Sequence, residues 1–363
     1  MTGSPIRVAL DVTPMLGAPT GIHRTTAGLI GALSQRPDVD VGGYVLSVRS
    51  ATGAPFDDLT VRSSRFPAAL AHRAWARTDW PSGRWLAGAC DVIHGTNYTV
   101  PPARSGRVVT VHDLAMVSNP EWATPAVNRM IPALERAVAR GAHVQCPSRA
   151  TAAEIESRLA VDVERLHVVP NAVSPLGPGD PERGRAAIGA DTYVLALGTT
   201  EPRKGLTLLP RAIARAGGDA TLAVVGPVGS DEAALEGAVA DAGIAQRFRR
   251  IIEVNETRRS DIVRGAAVLA YPSRAEGFGL PPLEALTVGC PVVATAVGAL
   301  PELIGDAVDL IPPDDTDALV AALDDVLRDR PAIPDALSDR LLEMTWDRVA
   351  AEMVEIYRRS LAD

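Results

Sequence analysis

The sequence predicts an α/β protein built from two doubly wound parallel sheets, and three observations support this fold class. Short β-branched runs alternate with amphipathic helical patterns along the 363-residue chain, which is the rhythm of βαβ units. A segment dense in Pro and Gly, residues 170–190, interrupts that rhythm and is typical of a linker. The chain is also too long for one hydrophobic core. We therefore expect two Rossmann-like domains that face each other across a ligand cleft.

The first domain is predicted to span residues 1–173. Its strands are the β-branched runs Ile6–Val12, Val41–Val48, Asp91–His94, Arg107–Val111, His143–Cys146 and Leu166–Val169. Its helices are the amphipathic segments Gly21–Leu33, Ala126–Arg140 and Arg149–Leu159.

The second domain is predicted to span residues 190–345. Its strands are the runs Tyr193–Leu197, Thr221–Val225, Phe248–Val254, Ala267–Tyr271, Pro291–Ala294 and Val308–Ile311. A final amphipathic helix, Trp346–Ser360, follows this domain.

Charge and cysteine content exclude several classes of protein. The net charge of −8 argues against a protein that grips nucleic acid backbones. Of the 36 basic and 44 acidic residues, the first 180 positions hold 17 and 15, so the first half is mildly basic on an acidic protein. We expect that half to meet an anionic acceptor or a membrane surface. The three cysteines form no C-x-x-C pair, which favours a reducing cytoplasm over a disulfide framework or a zinc site.

Targeting and membrane segments are not predicted either. The first residues contain a short apolar run without a charged lead-in, which indicates a buried strand rather than a signal peptide. No apolar run approaches the roughly 18–20 residues of a membrane span.

Several common catalytic motifs are missing from the sequence. The nearest match to G-x-G-x-x-G begins at Gly277 and has Pro282 in place of the third Gly, which argues against a dinucleotide-dependent reductase. The P-loop, G-x-S-x-G and H-E-x-x-H patterns do not occur. Asp38 and Asp40 have the spacing of a D-x-D metal clamp, but we interpret them as part of a polar turn and predict no metal ligands.

The most informative segment is Tyr271–Gly289, YPSRAEGFGLPPLEALTVG. A buried strand is followed by a loop with Glu276 and two glycines, and then by a helix that carries Glu284. Free amides of such a loop and of a helix N-terminus bind anions, and Gly277 and Gly279 allow a ligand close to the backbone. Two carboxylates beside an anion site indicate that the ligand also presents hydroxyl groups, as a sugar and a ribose do.

A second segment, Leu197–Leu206, places Arg203 and Lys204 at a strand-to-helix junction. Adjacent cations there suit the charge of a diphosphate leaving group. Lys204 is the only lysine in the chain, which favours a role for a compact point charge that Arg does not fill. A solvated pair at a helix start is the alternative interpretation.

These motifs resemble those of glycosyltransferase family 4, whose members have the GT-B fold. Glu276 and Glu284 form the E-x7-E pattern inside EGFGLPPLEAL, and PRKG at Pro202–Gly205 is similar to the family's diphosphate clamp. The resemblance implies that Glu276 contacts donor-sugar hydroxyls and Glu284 the ribose. It implies that the amides of Phe278 and Gly279, with their neighbours Gly277 and Leu280, lie near the phosphates and the sugar. It also implies that the backbone at Val254 reads the nucleotide base.

The first half carries weaker resemblances to the same family. The GAPTGIHR loop resembles its glycine-rich loop, so we expect Gly21 near the phosphates and Arg24 near a phosphate or the acceptor; a plain helix cap also explains this segment. His112-Asp113 matches a His-Asp step in which the His contacts the donor sugar, and Asp113 is a candidate acceptor contact. His94 is another acceptor candidate, for which ordinary packing is an equal explanation.

The resemblance covers nearly the whole chain and implies a mechanism and a partner set. The family retains the anomeric configuration, and the expected reaction is departure of the diphosphate with electrostatic assistance from Arg203 and Lys204, without metal or other cofactor. The final helix, 346–363, is expected to return to the first domain. Bacterial mannosyl- and rhamnosyltransferases are most similar, so GDP-mannose is the favoured donor and a glycan, lipid-linked or small-molecule acceptor is expected. A UDP-sugar enzyme and a non-catalytic nucleotide-sugar-binding scaffold are the alternatives.

One further segment combines arginines with aromatic residues. Residues 62–85 contain five arginines and three of the five tryptophans of the chain. Such a segment suits lipid headgroups or sugar stacking. Buried tryptophans with solvated arginines are the plainer interpretation. A peripheral membrane contact through the first domain is the alternative.

Overall fold

The computed structural model describes residues 4–17, 20–48, 59–104, 106–216, 218–329 and 331–362. The chain divides into two compact units. The first unit combines Met1–Ala172 with Met344–Asp363, and the second is Val173–Glu343.

The first unit is built around a parallel sheet of seven strands. In chain order they are β1 (Ile6–Asp11), β2 (Val39–Val45), β3 (Thr60–Ser63), β4 (Val92–Gly95), β5 (Gly106–Thr110), β6 (His143–Cys146) and β7 (Leu166–Val168). The spatial order is β3-β2-β1-β4-β5-β6-β7, and every pair is parallel. The order reverses between β1 and β4, which makes their carboxyl ends the topological switch point where open α/β sheets bind ligands.

The described helices of the first unit cover both faces of this sheet with apolar side chains. They are α1 (Gly21–Ser34), α2 (Ala68–Trp75), α3 (Gly83–Ala87), α4 (Ala115–Ser118), α5 (Pro125–Ala139), α6 (Arg149–Arg158) and, from the end of the chain, α15 (Trp346–Ala362).

Helix α15 is part of the core of the first unit, as the family resemblance implies. Its residues Val349, Met353 and Tyr357 are at most 7% exposed and pack with β1, β4, β5 and α1. Gly28 of α1 lies directly against the indole of Trp346, so that any Cβ at position 28 would overlap the ring. A glycine therefore permits the close approach of α1 and α15.

The second unit contains a parallel sheet of five strands in the order β10-β9-β8-β11-β12. The strands are β8 (Tyr193–Leu197), β9 (Thr221–Val225), β10 (Phe248–Ile251), β11 (Val268–Tyr271) and β12 (Val292–Ala294). Its helices are α7 (Pro181–Ile188), α8 (Leu209–Arg215), α9 (Glu232–Asp241), α10 (Glu256–Gly265), α11 (Leu280–Leu286), α12 (Leu300–Ile304), α13 (Thr316–Asp329) and α14 (Asp335–Leu342). The switch point of this sheet lies between β8 and β11.

Three expectations differ from the structure. The predicted linker 170–190 is wrong over its second half, because Asp180 caps helix α7, Gly189 ends it in the left-handed region, and α7 packs against α10. The predicted strand Val308–Ile311 is a single bridge from Ile311 to Thr295, since Pro312 and Pro313 cannot continue a ladder. Strand β3 was not predicted, because its short edge position leaves three of its four residues exposed.

Among the described residues, no helix has both the length and the apolar character needed to cross a bilayer.

Candidate active site

The two strongest motifs of the sequence meet at the switch point of the second unit. The PRKG turn, Pro202–Gly205, follows β8, and the EGFG loop, Glu276–Gly279, follows β11. Since β8 and β11 are parallel neighbours, their carboxyl ends lie at the same edge of the sheet. The fold therefore brings together two segments that are about 70 residues apart in the sequence.

Backbone contacts hold the PRKG turn against the strand end of β11. Gly205 has a φ of +60° and lies so close to the carbonyl oxygen of Pro272 that no Cβ would fit. The amide of Arg274 donates to the carbonyl of Arg203 at 2.7 Å, and its guanidinium donates to the carbonyl of Pro202 at 2.7 Å. This geometry needs glycine after Lys204, so the spacing of the motif has a structural cause.

Glu276 is the centre of a buried polar cluster. Its Oε1 accepts hydrogen bonds from Lys204 Nζ at 2.5 Å, Ser273 Oγ at 2.9 Å and Arg203 Nη1 at 3.2 Å. Lys204 Nζ also donates to the hydroxyl of Tyr271 at 3.0 Å. These three bonds to the carboxylate all end on Oε1, and Oε2 takes none of them.

The charges of this cluster fix its protonation states. Burial by itself raises the pKa of Glu276, but the charges of Lys204 and Arg203 and the hydrogen bonds from Lys204 and Ser273 lower it to about 2. Burial lowers the pKa of Lys204, and Glu276 opposes that change. Arg203 also pairs with Glu201 at 2.9 Å, so two cations and two carboxylates balance. The predicted clamp thus has no net charge of its own.

The EGFG loop leads into the short helix α11. Gly279 adopts a φ of +87°, and a Cβ there would lie 2.9 Å from the side chain of Leu300. Packing against Leu300 and the positive φ therefore require a glycine at position 279, independently of any ligand that approaches the loop. Gly277 and Phe278 are buried, and Leu280 is half-buried. Two of the first three helical residues are prolines without an N–H, so the amides offered near this helix end are fewer than we expected.

Glu284, the second carboxylate of the E-x7-E pattern, is already paired. Its side chain is 1% exposed, and its Oε2 accepts from Nη2 of Arg259 on α10. Nη1 of Arg259 is buried, has no hydrogen-bond partner among the described residues, and lies 3.6 Å from Glu256. Val254 is half-buried and lies two residues before α10. It is outside β10, which ends at Ile251 and not at Val254 as predicted.

The candidates of the first unit lie at the switch point of its own sheet. Gly21 begins α1, shortly after β1, and a Cβ at Gly21 would have no described neighbour within 4 Å. Packing in the described part of the chain thus gives no reason for a glycine there. Thr20 caps the helix through the amide of His23 at 3.3 Å, and Arg24 is half-buried in the first turn.

His112 and Asp113 lie just beyond the end of β5, separated from it by Val111. Nε2 of His112 is 2.9 Å from the carbonyl oxygen of Thr96, and because a carbonyl only accepts, Nε2 carries the proton and Nδ1 the lone pair. Burial lowers the pKa of His112, so the ring is neutral near pH 7. Asp113 Oδ1 accepts from the amide of Ala115 at 3.1 Å and from the hydroxyl of Tyr98 at 3.2 Å, which gives Asp113 a structural role in this loop.

A cavity of about 20 Å³ lies beside His112 and is also lined by Thr26, Asn171 and Trp346. Thr26 Oγ1 is buried without a hydrogen-bond partner in the described part of the chain. The volume is sufficient for one water molecule and too small for a sugar.

His94 belongs to the core, and the expectation that it contacts an acceptor is contradicted. The residue is 0% exposed. Its Nδ1 lies 2.9 Å from the hydroxyl of Tyr357, and its Nε2 lies 2.9 Å from Thr110 Oγ1, which donates onward to Gln145 at 2.8 Å. Burial lowers the pKa of His94 to about 3, so the ring is neutral and both nitrogens are satisfied.

Three side chains of the second unit that shape the site were not predicted from the sequence. Tyr271 and Ser273 hold Lys204 and Glu276, and Arg259 holds Glu284. For Tyr271 and Ser273 the signal was their position at the end of a buried strand, directly before the loop. For Arg259, a charged residue on a helix, the sequence held no signal, because its partner Glu284 lies 25 residues away on another helix.

No group of three or more metal-ligating side chains occurs within the described ranges. Asp38, one member of the D-x-D pair, is bound by Arg36 at 3.0 Å and by Arg358 at 2.8 Å, and its hydrogen bond from Arg36 lowers its pKa.

Comparison with known proteins gives two family matches and a consistent set of relatives. Residues 182–341 match the model described as "Glycosyl transferases group 1", and residues 19–175 match "Glycosyltransferase Family 4". A D-inositol 3-phosphate glycosyltransferase from Mycobacteroides abscessus is 30% identical over 356 residues, which are 91% of this chain and 79% of that protein. An MMP alpha-(1->4)-mannosyltransferase from Mycolicibacterium hassiacum is 32% identical over 259 residues, 66% of this chain and 60% of that protein.

Solved structures are similar in fold at low sequence identity. The sucrose-phosphate synthase of Thermosynechococcus elongatus has a TM-score of 0.76 at 18% identity and covers 98% of this chain and 99% of its own. HepE of Anabaena in complex with UDP and glucose has a TM-score of 0.72 at 18% identity, with 96% and 98% covered. Together with the arrangement of the PRKG turn and the EGFG loop, these matches show that the chain belongs to glycosyltransferase family 4 and is a glycosyltransferase with the GT-B fold.

Proposed function

We propose that the protein transfers a hexose from a nucleoside diphosphate sugar to an acceptor hydroxyl, with retention of the anomeric configuration. The observation that carries this proposal is the buried carboxylate of Glu276, ionised and fixed through Oε1 by three donors. A fixed carboxylate accepts hydrogen bonds from sugar hydroxyls without having to reorganise. In this proposal Oε2 of Glu276 accepts from the hydroxyls of the donor sugar.

The leaving diphosphate is stabilised by Lys204 and Arg203. Nζ of Lys204 has three N–H bonds, and its contacts with Tyr271 and Glu276 use two of them. The third is available for a phosphate oxygen. The nearby carboxylates balance the charges of Lys204 and Arg203. In this proposal the site therefore acts by holding N–H groups in place toward the negative charge that develops on the leaving diphosphate, and less by a net positive charge. Amides of Phe278, Gly279 and Leu280 complete the proposed phosphate contacts, and the reaction is proposed to need no metal or cofactor.

His112 and Gly21 are proposed to serve the same reaction from the first unit. Nδ1 of neutral His112 is an acceptor for a donor-sugar hydroxyl, since Nε2 is held by Thr96. Gly21 supports close approach of the phosphates, because nothing in the described packing requires a glycine there. Arg24 is proposed to face a phosphate or the acceptor.

GDP-mannose is the first candidate for the donor, and a UDP-sugar is the second. The name of the mannosyltransferase relative supports a mannose donor. The name of the inositol-phosphate relative supports a small phosphorylated acceptor, beside the glycan or glycolipid acceptor that we also propose. The described cysteines Cys90, Cys146 and Cys290 form no disulfide, which supports a role in the cytoplasm. We also propose that the first unit contacts the inner face of the cell membrane.

Isothermal titration of the purified protein with GDP, UDP, ADP and TDP in EDTA tests the donor site. We expect one nucleotide to bind tightly, Lys204→Ala to weaken that binding by at least about tenfold, which is 1.4 kcal/mol, and Arg211→Ala, an exposed change on α8, to have no effect. Donor turnover should fall by orders of magnitude in Lys204→Ala. Failure of every nucleotide to bind, with or without magnesium, would refute the proposal, and binding without turnover on any acceptor would favour the scaffold alternative.

A further inference from the structure

The first unit carries an exposed surface that combines cations with aromatic rings, which we call the Arg/Trp face. Its apolar members are Leu70, Trp80 and Trp85, exposed to 49%, 57% and 47%. Its basic members are five exposed arginines, Arg62, Arg65, Arg73, Arg77 and Arg84. A cluster of exposed tryptophans is uncommon on a surface that only faces water, because each ring leaves a large apolar area in contact with the solvent. Such a cluster therefore marks a surface that binds a partner.

The aromatic members form one compact cluster. Phe66 meets the rings of Trp80 and Trp85 edge-on, with centroids 5.3 and 5.9 Å apart, and the two indoles are 6.2 Å apart at an angle of 40°. They are therefore arranged as a continuous apolar surface and not as separate flat platforms for bases or sugar rings. The turn that carries Trp80 is anchored from below, since Nε1 of Trp75 donates to the carbonyl of Pro81 at 2.8 Å.

Arginines flank this cluster along the chain. Leu70, Arg73 and Arg77 follow each other at intervals of three and four residues along α2 and the turn after it, so they share one face. Arg62 lies against Gly88, which ends α3, and Arg84 precedes Trp85 within α3. Exposed aromatic rings together with arginines are the composition of surfaces that bind the interface of a bilayer.

The Arg/Trp face carries more positive than negative charge over the part of the chain that the structure describes. None of its five arginines forms an ion pair within the described ranges. Asp79 is the only carboxylate in residues 60–89, and it is taken by Arg136 at 2.8 Å and Arg140 at 3.0 Å. The protein as a whole has a net charge of −8, so cations are concentrated here on an otherwise acidic molecule. Charge complementarity thus selects an anionic partner.

We propose that the Arg/Trp face docks on an anionic lipid bilayer, with Trp80 and Trp85 inserted at the headgroup level and the arginines on the lipid phosphates. Anionic headgroups attract arginines near the surface, and tryptophan favours the membrane–water interface. This docking deepens the membrane contact of the proposed function and rests on it for its biological role. The binding itself needs neither donor nor turnover.

Vesicle co-sedimentation of the full chain tests the docking. The vesicles contain phosphatidylcholine alone or phosphatidylcholine mixed with phosphatidylglycerol. We expect binding to the mixed vesicles only, reduced by salt, with a blue shift of tryptophan emission. The double variant Arg73→Glu/Arg77→Glu should bind at least about tenfold more weakly, and Trp80→Ser/Trp85→Ser should lose the blue shift and most of the binding.

A matched control keeps the outcome specific. Arg211→Glu/Arg258→Glu makes the same change in net charge at exposed arginines of the second unit and should bind vesicles like the unmodified protein. Nucleotide titration of every variant, expected to be unchanged, separates failure of the docking from failure of the donor site. Equal loss in the control, or no binding of the unmodified protein to mixed vesicles, would overturn the proposal. So would a dimer in light scattering that Arg73→Glu/Arg77→Glu dissociates, since the face would then bind a second copy.

Discussion

Replacing Glu276 by Gln removes the charge at the centre of the candidate site and keeps its size. The pKa of Glu276 falls from 4.5 to about 2 in the folded protein, and a difference of this size corresponds to roughly 3 kcal/mol of interaction with the ionised form. Its side chain is only 8% exposed, so solvent screens little of this energy. The amide of Gln still accepts from Lys204 and Ser273. We therefore expect a loss of roughly 2–3 kcal/mol in the unfolding free energy at pH 7.

The pH dependence of this loss follows from the direction of the pKa change. A carboxylate with a lowered folded pKa stabilises the protein above its unfolded pKa of 4.5, and this contribution disappears as the pH falls toward 2. The gap between Glu276→Gln and the unmodified protein should thus be full at pH 7 and shrink below pH 4.5.

Amide hydrogen exchange of β11 and α11 measures the change where it occurs, because exchange reports local opening free energies. All five tryptophans lie in the first unit, so their fluorescence shows separately whether that unit is affected. Glu201→Gln is the matched control, since Glu201 also pairs with Arg203 but is 29% exposed; its loss should cost less than about 1 kcal/mol. A cost of Glu276→Gln below about 0.5 kcal/mol at pH 7, or no larger than that of Glu201→Gln, would show that the buried charge of Glu276 does not stabilise the fold.

Four further predictions concern packing and buried polar groups. Gly28→Ala should destabilise the protein by about 1–3 kcal/mol, because the new Cβ overlaps the indole of Trp346. Gly31→Ala on the same helix, where the new Cβ has open space around it, should be neutral or stabilising. Urea unfolding followed by tryptophan fluorescence compares the two variants, and equal effects would contradict the role of the close contact between α1 and α15. Tyr357→Phe leaves Nδ1 of His94 buried without a donor and should cost about 1–3 kcal/mol in the same assay. Because the pKa of His94 is lowered to about 3, its contribution to stability is complete above pH 6.5 and is lost as the pH falls toward 3, so His94→Gln should flatten the pH profile in that range. Arg259→Leu should cost about 3–5 kcal/mol, because it removes the guanidinium that pairs with the buried carboxylate of Glu284. The double variant Arg259→Leu/Glu284→Leu should recover most of this stability, as measured by urea unfolding followed by circular dichroism; a double variant as unstable as the single one would show that the ion pair is not the cause.

Local pattern was sufficient for most of the secondary structure and for the fold class. Strands such as Tyr193–Leu197 and Thr221–Val225 begin and end where the sequence predicts, because parallel strands buried on both faces are largely continuous apolar runs. Helix α7 was missed because its Pro and Gly are typical of a linker, although Pro at the first helical position and Gly after the last are also helix boundaries. Only the contact of α7 with α10 distinguishes the two interpretations.

The sequence by itself determined the family, the two sheets and the two motifs that line the switch point of the second unit. These are properties of local spacing: a glycine after Lys204, a loop between a buried strand and a proline-led helix, and the E-x7-E pattern. The tertiary structure determined which residues pair with the charged and polar side chains of those motifs. Glu276 meets three donors from the PRKG turn and Ser273, Glu284 is held by Arg259 from another helix, and His94 is enclosed by Tyr357 from the end of the chain. Such pairings join residues up to 263 positions apart, and since burial and Coulomb energy depend on distance in space, no pattern of neighbours along the chain encodes them.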